Sequence, residues 1–228
     1  MPDAAKREGA GTGGESDLTE FQLSVARLFF ALPESKGFLL AGGAALLAQH
    51  LSTRPTDDLD FFTTPEHGHV RAARDALEAA ARNQGWSTGR IHDTDTFCRI
   101  VIRSATSQVL IDLAVDAPPD DPASQTAAGP TLAPEELAGH KLLALFDRAA
   151  ARDFVDVRVL AARFGKQTLL ARAARIDAGL DTRVLADMIA TLDRFTDGEL
   201  PVPEGSSVSE LREFYAAWRA ELIAQTGK

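Results

Sequence analysis

Between residues 38 and 62 the chain reads FLLAGGAALLAQHLSTRPTDDLDFF, and this run limits the possible folds more than any other. The apolar stretch Phe38 to Ala41 reads as a strand. Gly42 and Gly43 allow a tight turn and a close backbone approach to a ligand. Ala44 to Gln49 then opens a helix, whose unpaired N–H groups face the turn and favour an anionic phosphate. Asp58 and Asp60 flank Leu59, with Phe61 and Phe62 following. Residues two apart in a strand point the same way, so both carboxylates project from one face and can share a cation. A Gly-Gly turn, a basic residue and an Asp-x-Asp pair in one short unit are the parts needed to hold a nucleoside triphosphate and its Mg²⁺.

The rest of the chain sets bounds on that reading. Its 228 residues suit one or two domains, and a 45% hydrophobic content is enough to bury a core. No stretch reaches transmembrane length. Residues 1–16 are rich in Gly and charge and lack the apolar centre of a signal peptide, so they are expected to be a disordered leader. Cys98 is the only cysteine, which excludes an internal disulfide and suits a reducing cytoplasm. It reads as a small buried apolar residue. The net charge of −9 argues against a nucleic-acid binder that uses its whole surface. One segment runs the other way. Residues 141–175 carry eight Lys or Arg and three Asp, a net of +5 that leaves −14 elsewhere. A polyanion is drawn to that segment if to any, although an ordinary solvated helix surface explains it equally well.

Periodicity predicts an α+β chain: a small mixed β-sheet domain with flanking helices over 17–118, a linker over 119–133, and a helical bundle over 134–228. A first helix runs from Asp17 to Leu32, with Asp17 and Glu20 shaped like a capping pair. A long amphipathic helix covers Glu66 to Gln84. Phe97 to Ile102 and Gln108 to Val115 form a hairpin. The Pro-rich and polar stretch 117–133 reads as the linker. Helices then follow over Pro134 to Ala151, Arg152 to Phe164, Gln167 to Ala178, Thr182 to Phe195 and Val208 to Gln225, with Gly165 and Gly179 as stops. The cleft between the sheet and the bundle is the natural ligand site.

Asp112, between Ile111 and Leu113 in an apolar strand, is the candidate third carboxylate, because an unpaired charge there is costly and a shared metal would explain it. Asp116 is a weaker alternative beside the linker. Lys141 and Arg148 lie seven apart on one helix and so share a side, where they can hold a leaving pyrophosphate. The bland reading of Lys141 is a snorkelling surface lysine. For Arg152, Asp153 and Asp156 the bland reading is a helix start, which favours acids. The five histidines show no metal-ligand spacing, and Trp86 and Trp218 read as packing residues.

Two motifs in the correct order resemble the AbiEii/AbiGii toxin family of nucleotidyltransferases, within the DNA polymerase β-like superfamily. The first stands here as AGGAALL followed by RPTDDLDFF, the second as KLLALFDRAAARDFVDVRVL over residues 141–160. The resemblance spans roughly residues 37–164. It implies a nucleotidyltransferase domain in which Asp58 and Asp60 are the metal-binding pair, for Mg²⁺ or Mn²⁺; Asp112 stays the candidate third ligand on its strand context. It implies that Lys141 contacts the triphosphate and that one of Asp153 and Asp156 takes part in catalysis. Gly42, Gly43, Ala44, Arg54, Thr56, Lys141, Arg148, Arg152 and Asp153 become the candidate nucleotide contacts, and Asp58, Asp60, Asp112, Lys141 and Asp156 the candidate catalytic set. The family usually has Ser or Thr where this chain has Ala44, so one hydroxyl contact to phosphate is missing.

The function this resemblance implies is transfer of a nucleotide from an NTP to RNA, particularly a tRNA 3′ end, or to a protein hydroxyl. The cellular role would be that of a toxin with an antitoxin encoded next door. Two other readings stay open: a small-molecule nucleotidyltransferase of the aminoglycoside-modifying type, and a nucleotide-binding protein that has lost turnover.

Overall fold

A computed structural model describes residues 18–203 and 205–226. In chain order it contains α1 (Glu20–Phe30), β1 (Leu39–Ala41), α2 (Gly42–Ala48), β2 (Asp58–Thr63), α3 (Val70–Asn83), β3 (Ser87–Asp93), β4 (Phe97–Arg103) and β5 (Gln108–Val115). β6 (Ser124–Thr126) and β7 (Gly129–Thr131) follow, then α4 (Pro134–Asp147), α5 (Ala151–Phe164), α6 (Lys166–Ile176), α7 (Thr182–Ala190) and α8 (Val208–Thr226). The seven strands form one sheet in the order β3-β4-β5-β2-β1-β7-β6. β2 lies parallel to β5 and antiparallel to β1, while β1 and β7 are parallel. The mixed sheet with flanking helices and a helical C-terminal half is the expected α+β architecture.

Alternation along β2 divides its side chains between two environments. Leu59, Phe61 and Thr63 are buried, and Asp58, Asp60 and Phe62 are half-buried. On the buried face, Phe61 stacks 4.2 Å from Phe29 of α1. Each large apolar side chain buried here contributes about 1.5–3 kcal/mol. The same core cluster continues through Leu142 of α4 and Leu160 of α5 to Trp218 of α8. Among the described residues no helix is long and apolar enough to cross a membrane.

Several boundaries differ from the expectation, each for a local reason. The first helix begins at Glu20, capped by Thr19. The Thr19 hydroxyl accepts from the Gln22 N–H at 3.2 Å, and the Gln22 side chain accepts from the Thr19 N–H at 2.9 Å. This Thr-x-x-Gln box satisfies two N–H groups at once. Asp17 and the expected leader lie outside the described residues. α3 starts at Val70 rather than Glu66, because residues 65–67 form a turn in which His67 Nδ1 meets the Thr64 hydroxyl at 2.7 Å. β3 carries Ser, Thr, Arg, His and Asp on an exposed sheet edge, so its sequence has no apolar alternation to read. The stretch 117–133, expected as a linker, contains the β6–β7 hairpin. β7 extends the sheet through Leu40↔Thr131, and the Leu132 N–H donates to the Leu40 carbonyl at 3.0 Å. Those backbone groups gain partners in a segment whose composition looks like a loop. Cys98 is fully buried in β4, and its thiol is pushed up to about 11 by burial and by Asp93.

Candidate active site

A cavity of about 490 Å³ opens between the Asp-bearing face of the sheet and α4. The sheet assembles its floor by register. Ala41 of β1 lies opposite Asp60 of β2, Asp60 opposite Asp112 of β5, and Asp112 opposite Arg99 of β4. One row thus runs across four strands, from Arg99 through two carboxylates to the residue before Gly42. Asp58 is the next residue on the same face of β2.

Gly42 and Gly43 are required by close approach. Gly42 has φ +62°, and a Cβ there would overlap the Asp60 carboxylate. A Cβ on Gly43 would come within 2.8 Å of the Thr56 hydroxyl. Gly42→Ala is therefore expected to lower stability by at least about 1 kcal/mol through its positive φ and to displace Asp60. Thermal melts and a transfer assay check both effects. An active, fully stable variant would contradict the close packing.

The loop before the acids is tied down from two sides. The Thr56 hydroxyl donates to Asp58 Oδ1 at 2.5 Å, and the buried Gln22 amide donates to the Thr56 carbonyl at 2.6 Å. Arg152 reaches Asp58 Oδ2 at 3.7 Å. Behind the cavity wall lies a fully buried acid, Asp156. Arg54 grips it with two hydrogen bonds of 2.9 Å, and Lys141 Nζ sits 2.8 Å from Oδ2. Burial opposes ionisation of Asp156, but Lys141 and Arg54 outweigh it and hold the carboxyl below its usual value. Asp153 is likewise fully buried. It accepts two hydrogen bonds of 2.9 Å from Arg148 and one of 3.1 Å from the Ala150 N–H.

The structure thus brings Gly42, Gly43, Arg54, Thr56, Asp58, Asp60, Asp112, Lys141, Arg148 and Arg152 to one cavity. It places Asp153 and Asp156 behind the wall, where they orient the cations. Lys141 is 7% exposed, so it is a wall residue anchored from below and not a snorkelling surface lysine. Ala44 is fully buried in the core and does not line the cavity, so this position presents no side chain to a ligand there. Arg99 was not anticipated. It forms a two-point ion pair with Asp112, at 2.7 and 2.6 Å. Its only sequence signal is an arginine interrupting the apolar alternation of β4. Asp116, His140, Asp147 and Asp177 also line the cavity.

Asp60 carries the strongest electrostatic signature. It is only half-buried by surface area, yet its carboxylate lies on the cavity floor against Gly42. Burial, then Asp58, then Asp112 push its pKa up to about 7, against the pull of Lys141 and Arg152. Such a shift marks a functional site when a cleft and charged partners surround the group. The folded state binds a proton here that the unfolded chain, with an ordinary value of 3.8, has lost. Stability is therefore expected to fall as pH rises from about 4 to about 7 and then to level off. Asp60→Asn removes that slope. Calorimetric melts across this range check it, and an identical slope in the variant would contradict the assignment.

Among the described residues no three His, Cys, Asp or Glu side chains form a ready metal cage. Asp112 stands beside Asp60 in the ladder, but its carboxylate is held by Arg99. On the cavity floor the carboxylates not held in a two-point ion pair are Asp58, which keeps its Thr56 hydrogen bond, and Asp60. Mg²⁺ commonly takes one or two carboxylates and completes its shell with waters and substrate phosphates. The donor set therefore fits an ion that arrives with a triphosphate.

Comparisons with known proteins give the family and the fold. The family model described as nucleotidyl transferase AbiEii toxin, type IV toxin–antitoxin system, matches residues 25–224. A putative nucleotidyltransferase from H. pylori superposes with a TM-score of 0.56 at 22% identity, over 91% of this chain and 97% of that one. JHP933 from Helicobacter pylori gives 0.54 at 19% identity, over 92% and 97%. MenT4, a nucleotidyltransferase toxin from Mycobacterium tuberculosis H37Rv, gives 0.51 at 13% identity, over 89% of each chain. At such identities the likeness shows the shared fold. Comparison with curated proteins finds no significant match. With its two motifs folded around one cavity, this chain belongs to the AbiEii nucleotidyltransferase toxin family of type IV toxin–antitoxin systems.

Proposed function

We propose that this nucleotidyltransferase moves a nucleotidyl group from an NTP onto a hydroxyl at an RNA end, in a reaction that depends on Mg²⁺ or Mn²⁺. The observation that carries this reading is the row Asp112–Asp60 with Asp58 beside it, set against Gly42 and Gly43 in one cavity. Asp58 and Asp60 would hold the divalent ion, which supplies charge neutralisation at the reacting phosphate. The protein's own part is positioning. Gly42 and Gly43 let backbone approach the phosphates. Lys141, Arg148 and Arg152 place positive charge over the leaving pyrophosphate as the acceptor oxygen attacks the α-phosphorus and the bond to the β-phosphate oxygen breaks. Asp156 and Asp153 fix the first two of those cations. Arg99 holds the Asp112 carboxylate beside Asp60.

Support for RNA comes from the basic segment 141–175, whose Arg148 and Arg152 are exposed at the cavity rim. Much of its charge is internally paired: Arg172 with Glu135 and Asp121, Arg175 with Asp120, and Lys166 with Glu221. The force on a polyanion is thus weaker than the raw count of +5 implies. The rim acids Asp116, Asp147 and Asp177 favour a second reading, a cationic small-molecule acceptor. Incubation with labelled NTPs, Mg²⁺ and total RNA, a lysate, or an aminoglycoside separates these. Labelled RNA is the expected result. Label on the drug or on protein moves the acceptor, and no label anywhere overturns the proposal.

A further inference from the structure

A second cavity, of about 500 Å³, meets the first at Phe62, Asp116, Ala117 and His140. Beyond this neck Phe38, Leu39, Leu132 and the prolines of the segment 118–130 line it, with Thr63, Thr64 and His67 among its polar side chains. Among the described residues no Lys or Arg lines it, and Asp116 and Asp121 do. The β2 face leads straight into it. Asp58, Asp60 and Phe62 succeed one another at every second residue, so Phe62 lies about 6–7 Å beyond Asp60. Its ring centroid is 6.2 Å from that of His140 on α4. Burial holds His140 below its ordinary pKa despite Asp116 and Glu136, which favours the neutral imidazole.

We propose that this second cavity binds the base of the NTP whose phosphates occupy the first; the inference rests on the function proposed above. The phosphates are drawn to the end of the first cavity where Gly43, Arg152 and Arg148 stand. The nucleoside of the same molecule then extends the other way, past Asp60 to Phe62. A pocket walled by proline, leucine and aromatic side chains suits a flat, uncharged ring. Asp116 stands at the neck as a pure acceptor. Its Oδ1 takes the Ala117 N–H at 2.7 Å, and its Oδ2 lies 3.7 Å from His140 Nδ1. That carboxylate can receive a hydrogen bond from a ribose hydroxyl or a base N–H. The absence of cations in the lining disfavours a strand of RNA, whose phosphates would enter with each base.

Calorimetry on the full chain with Mg²⁺ tests this, using ATP, CTP, GTP and UTP against tripolyphosphate, which has no base. Two variants are compared: Phe62→Leu, and Ala123→Trp, which fills the second cavity from an exposed rim position. Wild type is expected to bind at least one NTP roughly tenfold tighter than tripolyphosphate. Both variants should lose most of that advantage while keeping wild-type tripolyphosphate affinity, which also reports an intact fold. An advantage that survives both variants overturns the base site. So does unchanged NTP binding with impaired transfer to RNA, which would assign the cavity to the acceptor. If wild type binds neither tripolyphosphate nor any NTP, the phosphate site fails first, and the inference falls with it.

Discussion

Asp60→Asn is expected to reduce nucleotidyl transfer by at least roughly 10²–10³-fold while leaving the fold as stable as wild type, or more stable, above pH 7. Asn keeps the shape that fits against Gly42 but removes the charge that burial, Asp58 and Asp112 all oppose. Above pH 7 the wild-type carboxylate is ionised at a cost, and the amide avoids it. Loss of activity with gain of stability separates a functional acid from a structural one. Asp58→Asn should lose activity to a similar degree. Its amide oxygen can still accept from the Thr56 hydroxyl, but the variant gives up the charge facing Arg152, so its stability gain is smaller than that of Asp60→Asn. Transfer assays and melts at pH 8 measure both. An Asp60→Asn enzyme with more than a tenth of wild-type activity would remove the acid pair from the reaction.

Asp156→Ala is expected to act in the opposite order, on the fold first and on activity through it. Removing this carboxylate takes from two buried cations the acid they share. Arg54 and Lys141 have side chains only 10% and 9% exposed. Breaking a buried pair by deleting one member typically costs about 3–5 kcal/mol. Asp156 itself is held below its ordinary value of 3.8, so its contribution is present above that pH and fades as pH falls further. Denaturant unfolding at pH 7 measures the loss. Lys141→Met in the same background should recover part of it, because one stranded charge is gone. If Asp156→Ala unfolds like wild type yet is inactive, the residue takes part in the reaction directly and does not merely set the cations.

What was readable along the chain is what local geometry encodes. Alternation put Asp58 and Asp60 on one face because successive side chains of a strand point to opposite sides. Pro134 and Gly165 marked a helix start and a helix end because each suits only certain backbone angles. The motif order within residues 38–62 and 141–160 was enough to name the family.

The partners of the charges were not readable. Asp156 meets Arg54 across 102 residues, and Asp112 meets Arg99 because β4 and β5 pair in one register and not another. A shift of one residue would turn either side chain to the opposite face. β7 looked like a loop because a three-residue strand is stabilised by the neighbour it pairs with, not by its own pattern. The sequence by itself determined which residues could do the chemistry and on which elements they stand. Only the tertiary structure decided which carboxylates are neutralised by arginine or lysine and which are left facing the cavity, because that depends on chain segments brought together by the sheet and its helices.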